Sequence, residues 1–94
     1  MSESPSAWEF RDIFKSCCRQ HDVPYDDALV EDLLEGFYRP RGIALRGCQP
    51  RDLIAQALSL AEYLGEPRRL TAELLQAACA GYFVEDQEPA PVYA

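Results

Sequence analysis

The sequence lacks the features that mark several large classes of protein. It contains no apolar run approaching the roughly 20 residues that a membrane-spanning helix needs. It has no GxxxxGK[ST] segment, which would cradle the phosphates of a nucleotide. Nine basic residues stand against sixteen acidic ones, and the net charge of -7 disfavours binding to a nucleic-acid backbone. We therefore expect no membrane partner and no direct nucleic-acid partner.

Histidine and cysteine do not have the spacing of a catalytic or metal centre. The single histidine, His21, lies beside Asp22 at a helix end, where solvation or capping is expected rather than catalysis. Cys17, Cys18 and His21 form a zinc candidate, but the chain has no CxxC pair. Buried free thiols explain the cysteines better, because most lie on apolar helix positions. We expect no metal held by this chain and no catalytic residue in it.

The first residues, MSESPSA, carry neither the basic nor the apolar region of a secretory signal. Cys17 and Cys18 are adjacent, so they cannot easily bridge each other. A chain with free thiols and no export signal fits a reducing compartment. The sequence therefore predicts a cytoplasmic protein without disulfides.

Apolar residues recur with helical spacing in four segments, and no segment alternates as a half-buried strand does. Each helix has its own boundary signals. They are Ser6 with Glu9 for the first helix, Asp26 and Asp27 for the start of the second, Arg39 to Gly42 for its end, Pro50 and Gly65 for the third, and Thr71 for the fourth.

The apolar positions of these helices define a predicted core. They are Phe10, Ile13, Phe14, Cys17 and Cys18; Leu29, Val30, Leu33, Leu34 and Phe37; Leu53, Ile54, Ala57, Leu58, Ala61 and Leu64; and Leu74, Leu75, Ala78, Cys79, Tyr82, Phe83 and Val84. The prediction is an all-α fold, a small four-helix bundle over residues 6–85. Residues 1–5 are predicted to be disordered, and residues 86–94 to form a flexible, acidic and Pro-rich tail.

Four arginines lie within thirteen positions, around the loop before the third helix: Arg39, Arg41, Arg46 and Arg51. Arg51 occupies the first turn of that helix, although cations favour the opposite end of the helix dipole. Two explanations remain open. Arg51 pairs with Asp52 or an acidic neighbour on the second helix, or it faces an anion at the helix N-terminus.

Three segments together resemble the C-terminal helical lid of AAA+ ATPases, over about residues 8 to 85. The first runs from Arg11 to Cys18, and the second is VPYDDALVEDLLEGFYR. The third begins LRGCQPRDLI and ends AACAGYFV. The resemblance is to bacterial members whose lid carries a C-x-PRDLL segment and ends in AC…YFV, here Cys48, Pro50 to Ile54, Ala78, Cys79 and Tyr82 to Val84.

The resemblance implies a bundle of about four helices whose third helix opens with the sensor 2 arginine. Arg51 matches that residue, which in the family reaches the γ-phosphate of ATP held by a preceding α/β domain. Pro50 lies beside it, and Arg46 is a second candidate for phosphate or interface contact by its position. The implied partners are the large α/β domain in cis and a neighbouring subunit. ATP is implied only together with that domain, so the chain would be a lid fragment or a separately encoded relative.

A second hypothesis comes from a different functional class. The chain would be a standalone acidic helical module that binds a protein partner through an exposed apolar groove. The PRDL segment at a helix start favours the lid, whereas the Met1 start and the Pro-rich ends favour the separate module.

Overall fold

The structure is a computed structural model, and it describes residues 5–83. Within that range α1 is Ala7–Gln20, α3 is Gln49–Leu64 and α4 is Ala72–Tyr82. Between α1 and α3 lie three consecutive helical stretches, together called α2 here: Asp27–Leu33, the π-helical Leu34–Tyr38, and Arg39–Arg41. No strand occurs in the described range, so the predicted all-α class is confirmed there. The predicted disordered and flexible ends, apart from Pro5, lie outside it.

Three of the four helices begin at a side chain that caps the backbone. Ser6 and Glu9 form the predicted capping box, with the Glu9 backbone N–H 3.2 Å from the Ser6 hydroxyl oxygen. Asp26 accepts from the backbone N–H of Ala28 at 3.0 Å. Thr71 accepts from the backbone N–H of Leu74 at 3.1 Å. Because a cap depends on residues within one turn, these starts follow directly from the local sequence.

The second helix does not stop at Pro40, as a regular α-helix would. A proline ring clashes with the carbonyl four residues earlier and offers no N–H donor. Here the preceding turn is π-helical, and the Arg39 N–H bonds to the carbonyl of Leu34. We attribute the accommodation of Pro40 to this wider turn. The helix ends at Arg41, and the next residue, Gly42, takes the left-handed conformation at φ 63.

The core lies between α3 and the other helices, with α3 packed on α1 and α4 and with α2 packed on α4 and α1. Leu53, Ile54, Ala57 and Ala61 of α3 are fully buried, as predicted. An aromatic row crosses the core from α1 to the end of α4. Its ring centroids are 5.5 Å apart between Phe10 and Tyr38 and 5.4 Å apart between Tyr38 and Phe83.

The apolar pattern was wrong at one large residue, Leu64, whose relative exposure is 53%. Residues 62–69 are all exposed, so the last turn of α3 lies outside the core. Leu70, beyond the turn, is buried again. Ile13, Leu29 and Tyr82 are only half-buried and pack against the core, and Val84 lies outside the described residues.

Among residues 5–83, no helix combines the length and the apolar character that crossing a bilayer requires.

Candidate functional site

Arg51 lies in the first turn of α3, and 67% of its side chain is exposed. Its Nε donates to Oδ1 of Asp52 at 3.2 Å. Within residues 5–83, the two terminal amino groups of the guanidinium make no hydrogen bond. One of the two explanations that the sequence left open, the pairing with Asp52, is therefore observed, and most of the Arg51 side chain is exposed.

Asp52 connects Arg51 to the end of α4. The hydroxyl of Tyr82 donates to the second carboxylate oxygen, Oδ2, at 2.9 Å. Burial and the hydrogen bond to Asp52 raise the pKa of Tyr82, so this hydroxyl stays protonated and keeps donating. The carboxylate that orients Arg51 is thus held from two helices. The sequence did not predict this contact, because Asp52 and Tyr82 are thirty positions apart.

The N-terminus of α3 has no side-chain cap. Cys48 occupies the cap position, is exposed, and makes no capping hydrogen bond. The backbone N–H of Gln49 donates to the carbonyl of Arg46 at 3.2 Å, that of Asp52 donates to the carbonyl of Cys48 at 3.3 Å, and Pro50 has no N–H. The exposed edge of Arg51 therefore lies beside a carboxylate, that of Asp52, in the first turn of α3.

The other predicted site residues differ in their accessibility. Arg46 is exposed and lies in the loop before α3. Pro50 is fully buried, so its contribution is to the start of the helix rather than to the surface.

Gln49 fixes the loop that carries Arg46, and the sequence analysis missed it. Its side chain is buried, and its Oε1 accepts from the hydroxyl of Tyr38 at 2.9 Å and from the backbone N–H of Arg46 at 3.1 Å. Its Nε2 donates to the carbonyl of Ala44 at 3.3 Å. Nothing in the apolar pattern distinguishes this glutamine from a solvated one, because its partners come from α2 and from the loop.

Replacing this glutamine tests the role of the buried polar group. We expect Gln49→Leu to reduce the free energy of unfolding by about 1 to 3 kcal/mol, because the buried hydroxyl of Tyr38 loses its partner. The exposed Gln56, on the same helix, is the matched control, and Gln56→Leu should change stability by about 0.5 kcal/mol or less. Urea unfolding followed by circular dichroism measures both. Equal effects would contradict the anchoring role.

The cysteines divide by burial. Cys17, Cys18 and Cys79 are buried free thiols, and Cys48 is an exposed one. Burial raises the pKa of Cys18 to about 11 and that of Cys79 to about 12. Within the described residues, no three His, Cys, Asp or Glu side chains are grouped to hold a metal ion.

Thiol labelling checks this division. The thiolate is the reactive form, so at pH 8 a maleimide should modify Cys48 rapidly and the buried thiols only when the fold opens. In urea all four cysteines should react. Mass spectrometry after a brief reaction counts the labels, and Cys48→Ser should remove the fast one. Rapid labelling of a second thiol in the folded chain would refute this prediction.

A family model described as "Domain of unknown function (DUF8689)" matches residues 6–81. No curated protein and no solved structure matched the chain. The matched range covers α1, α2 and α3 completely and all of α4 except its last residue, Tyr82. The chain therefore belongs to the family described as Domain of unknown function (DUF8689).

Proposed function

We propose that this chain is the helical lid of a cytoplasmic AAA+ ATPase, in which Arg51 contacts the γ-phosphate of ATP held by an α/β domain. One observation carries the proposal. Two segments of the resemblance, PRDL and AC…YFV, meet at Asp52, which accepts a hydrogen bond from Arg51 of the first segment and one from Tyr82 of the second. That junction holds one edge of the guanidinium and leaves the other edge exposed.

The exposed edge is suited to phosphate. A guanidinium forms forked, charge-assisted hydrogen bonds to phosphate oxygens, and these are about twice as strong as neutral hydrogen bonds. The γ-phosphate provides such oxygens in ATP and departs after hydrolysis. A contact that exists in only one nucleotide state biases the lid between a closed and an open position.

The phosphates in this proposal are bound mainly by the α/β domain. The chain contains no GxxxxGK[ST] segment, and its net charge of -7 repels a free nucleotide. The lid alone should therefore bind ATP weakly. Arg46, exposed in the neighbouring loop, is a second position for a phosphate or subunit contact.

The test compares ATP turnover of the nucleotide-binding domain, joined to or mixed with this chain, between wild type and Arg51→Ala. A Walker motif encoded in frame upstream would identify that domain directly. Unchanged turnover in the variant would overturn the assignment of Arg51.

The alternative, an acidic helical module that binds another protein, is favoured by three exposed apolar side chains. Trp8 is 76% exposed, Tyr63 85% and Leu64 53%. Exposed aromatic residues are common at binding surfaces. This alternative requires no nucleotide. It would be favoured over the lid by two results together: a protein partner that binds wild type and Arg51→Ala equally well, and an Arg51→Ala variant with unchanged ATP turnover.

A further inference from the structure

The ion pair between Arg51 and Asp52 joins two residues that are neighbours in one helix. Adjacent residues of an α-helix point in directions about 100° apart, so their side chains do not face each other as those three or four apart do. An exposed ion pair of this kind is also weak and does not fix a side chain by itself. The bond from Nε to Oδ1, at 3.2 Å, therefore depends on what holds the carboxylate in place.

The hydroxyl of Tyr82 holds the carboxylate of Asp52 from α4. It donates to Oδ2 at 2.9 Å, and the Asp52 side chain is only 32% exposed. A hydrogen bond to a carboxylate is charge-assisted and stronger than one between neutral groups. Tyr82 is half-buried, and its ring lies 4.9 Å from the ring of the buried Phe83. Because α4 packs on α3, the position of this hydroxyl is set by the core.

The bond from Tyr82 also limits what Asp52 accepts from Arg51. A carboxylate and a guanidinium favour a forked pair with two parallel N–H···O bonds. Here Oδ2 accepts from Tyr82, and the pair consists of the one bond from Nε to Oδ1. Within residues 5–83 the terminal amino groups of Arg51 make no hydrogen bond. With Oδ2 occupied, those amino groups remain available as donors.

We infer that Tyr82 is a positioning residue for Arg51. Through Asp52, its hydroxyl holds the guanidinium in an orientation in which the terminal amino groups can donate to an anionic ligand. With ATP as that ligand, the inference rests on the proposed function. Tyr82 itself contacts no nucleotide, because its effect passes through the carboxylate to Arg51.

Side-chain NMR of the full-length chain tests the orientation without any nucleotide. The Nε–H of Arg51 should exchange with water about 3- to 10-fold faster in Tyr82→Phe than in wild type, the factor that one hydrogen bond contributes. Its motion should also become less restricted. The loss of the signal in Arg51→Lys assigns it.

Tyr25→Phe is the matched control for this substitution. Tyr25 is also half-buried, and its hydroxyl also donates to an aspartate, Asp27. The change removes the same atom from a similar environment outside the site. It should leave the Nε–H of Arg51 unchanged.

ATP turnover of the assembled nucleotide-binding domain and lid tests the effect on the reaction. Tyr82→Phe should lower turnover by about 3- to 10-fold, because it weakens the positioning of Arg51 without removing its donors. In an Arg51→Ala background the same change should have no further effect, since Tyr82 acts through Arg51. A merely structural role would lower turnover by the same factor in both backgrounds.

Three results would overturn the inference: an unchanged Arg51 Nε–H in Tyr82→Phe, an equal change in Tyr25→Phe, or equal factors in the two turnover backgrounds. If Arg51→Ala lowers turnover and Tyr82→Phe does not, Tyr82 is not a positioning residue and the lid proposal stands. If Arg51→Ala leaves turnover unchanged, the lid proposal fails, and the NMR comparison decides whether Tyr82 orients Arg51.

Discussion

Arg51→Ala should lower ATP turnover of the assembled nucleotide-binding domain and lid by about 10- to 100-fold. If the chain is the proposed lid, the variant loses the charge-assisted hydrogen bonds to the γ-phosphate, and each of these contributes about 1.5 to 3 kcal/mol. The helical fold should remain, because Arg51 is largely exposed and its ion pair with Asp52 is a surface contact that contributes about 0 to 1 kcal/mol. Steady-state turnover and circular dichroism, measured on the same samples, test both expectations.

Three matched variants make this result specific. Arg51→Lys keeps the charge but loses the forked donors, so it should fall between wild type and Arg51→Ala. Arg68→Ala removes an exposed arginine elsewhere and should leave turnover unchanged. If Arg46→Ala reduces turnover and Arg51→Ala does not, the phosphate contact belongs to Arg46, and the assignment of sensor 2 to Arg51 is wrong.

Leu53→Ala should reduce the free energy of unfolding by about 2 to 5 kcal/mol, the range for a core leucine truncation. Leu53 is fully buried at the centre of the core, where α3 contacts α1 and α4. A domain of this size is stable by about 5 to 15 kcal/mol, so this loss is a large part of the total. Urea unfolding at 25 °C measures it.

Leu64→Ala is the control for this truncation, since it makes the same change on the same helix at a side chain that is 53% exposed. We expect it to change stability by about 0.5 kcal/mol or less. Sequence periodicity assigns Leu53 and Leu64 to one stripe and so predicts similar losses. A large loss of unfolding free energy in Leu64→Ala would show that the last turn of α3 is covered in solution. A second copy of the chain could cover it, which would agree with the protein-binding alternative.

The candidate site was predictable in part. The position of Arg51 in the first turn of α3 follows from Pro50, and its pairing with Asp52 was one of the two explanations that the sequence left open. The contact of Tyr82 with Asp52 was not predictable, because it depends on how α4 crosses α3. The outward direction of the guanidinium's free edge depends on the same packing.

The sequence by itself determined where helices begin and end. Ser6, Asp26 and Thr71 cap backbone groups within one turn of themselves, and Gly65 takes the left-handed conformation at φ 72 that ends α3. Such signals are local, because the donor and acceptor are a few residues apart in the chain.

Only the tertiary structure decided which polar groups are buried and which arginines are neutralised. Gln49 is buried because α2 brings the hydroxyl of Tyr38 to it, although the two residues are eleven positions apart. Arg41 and Arg46 share a cavity, whereas Arg39 and Arg51 bind carboxylates of their own helices. The physical reason is that hydrogen bonds and ion pairs depend on distances of a few ångströms, and those distances between helices are set by the packing of the core.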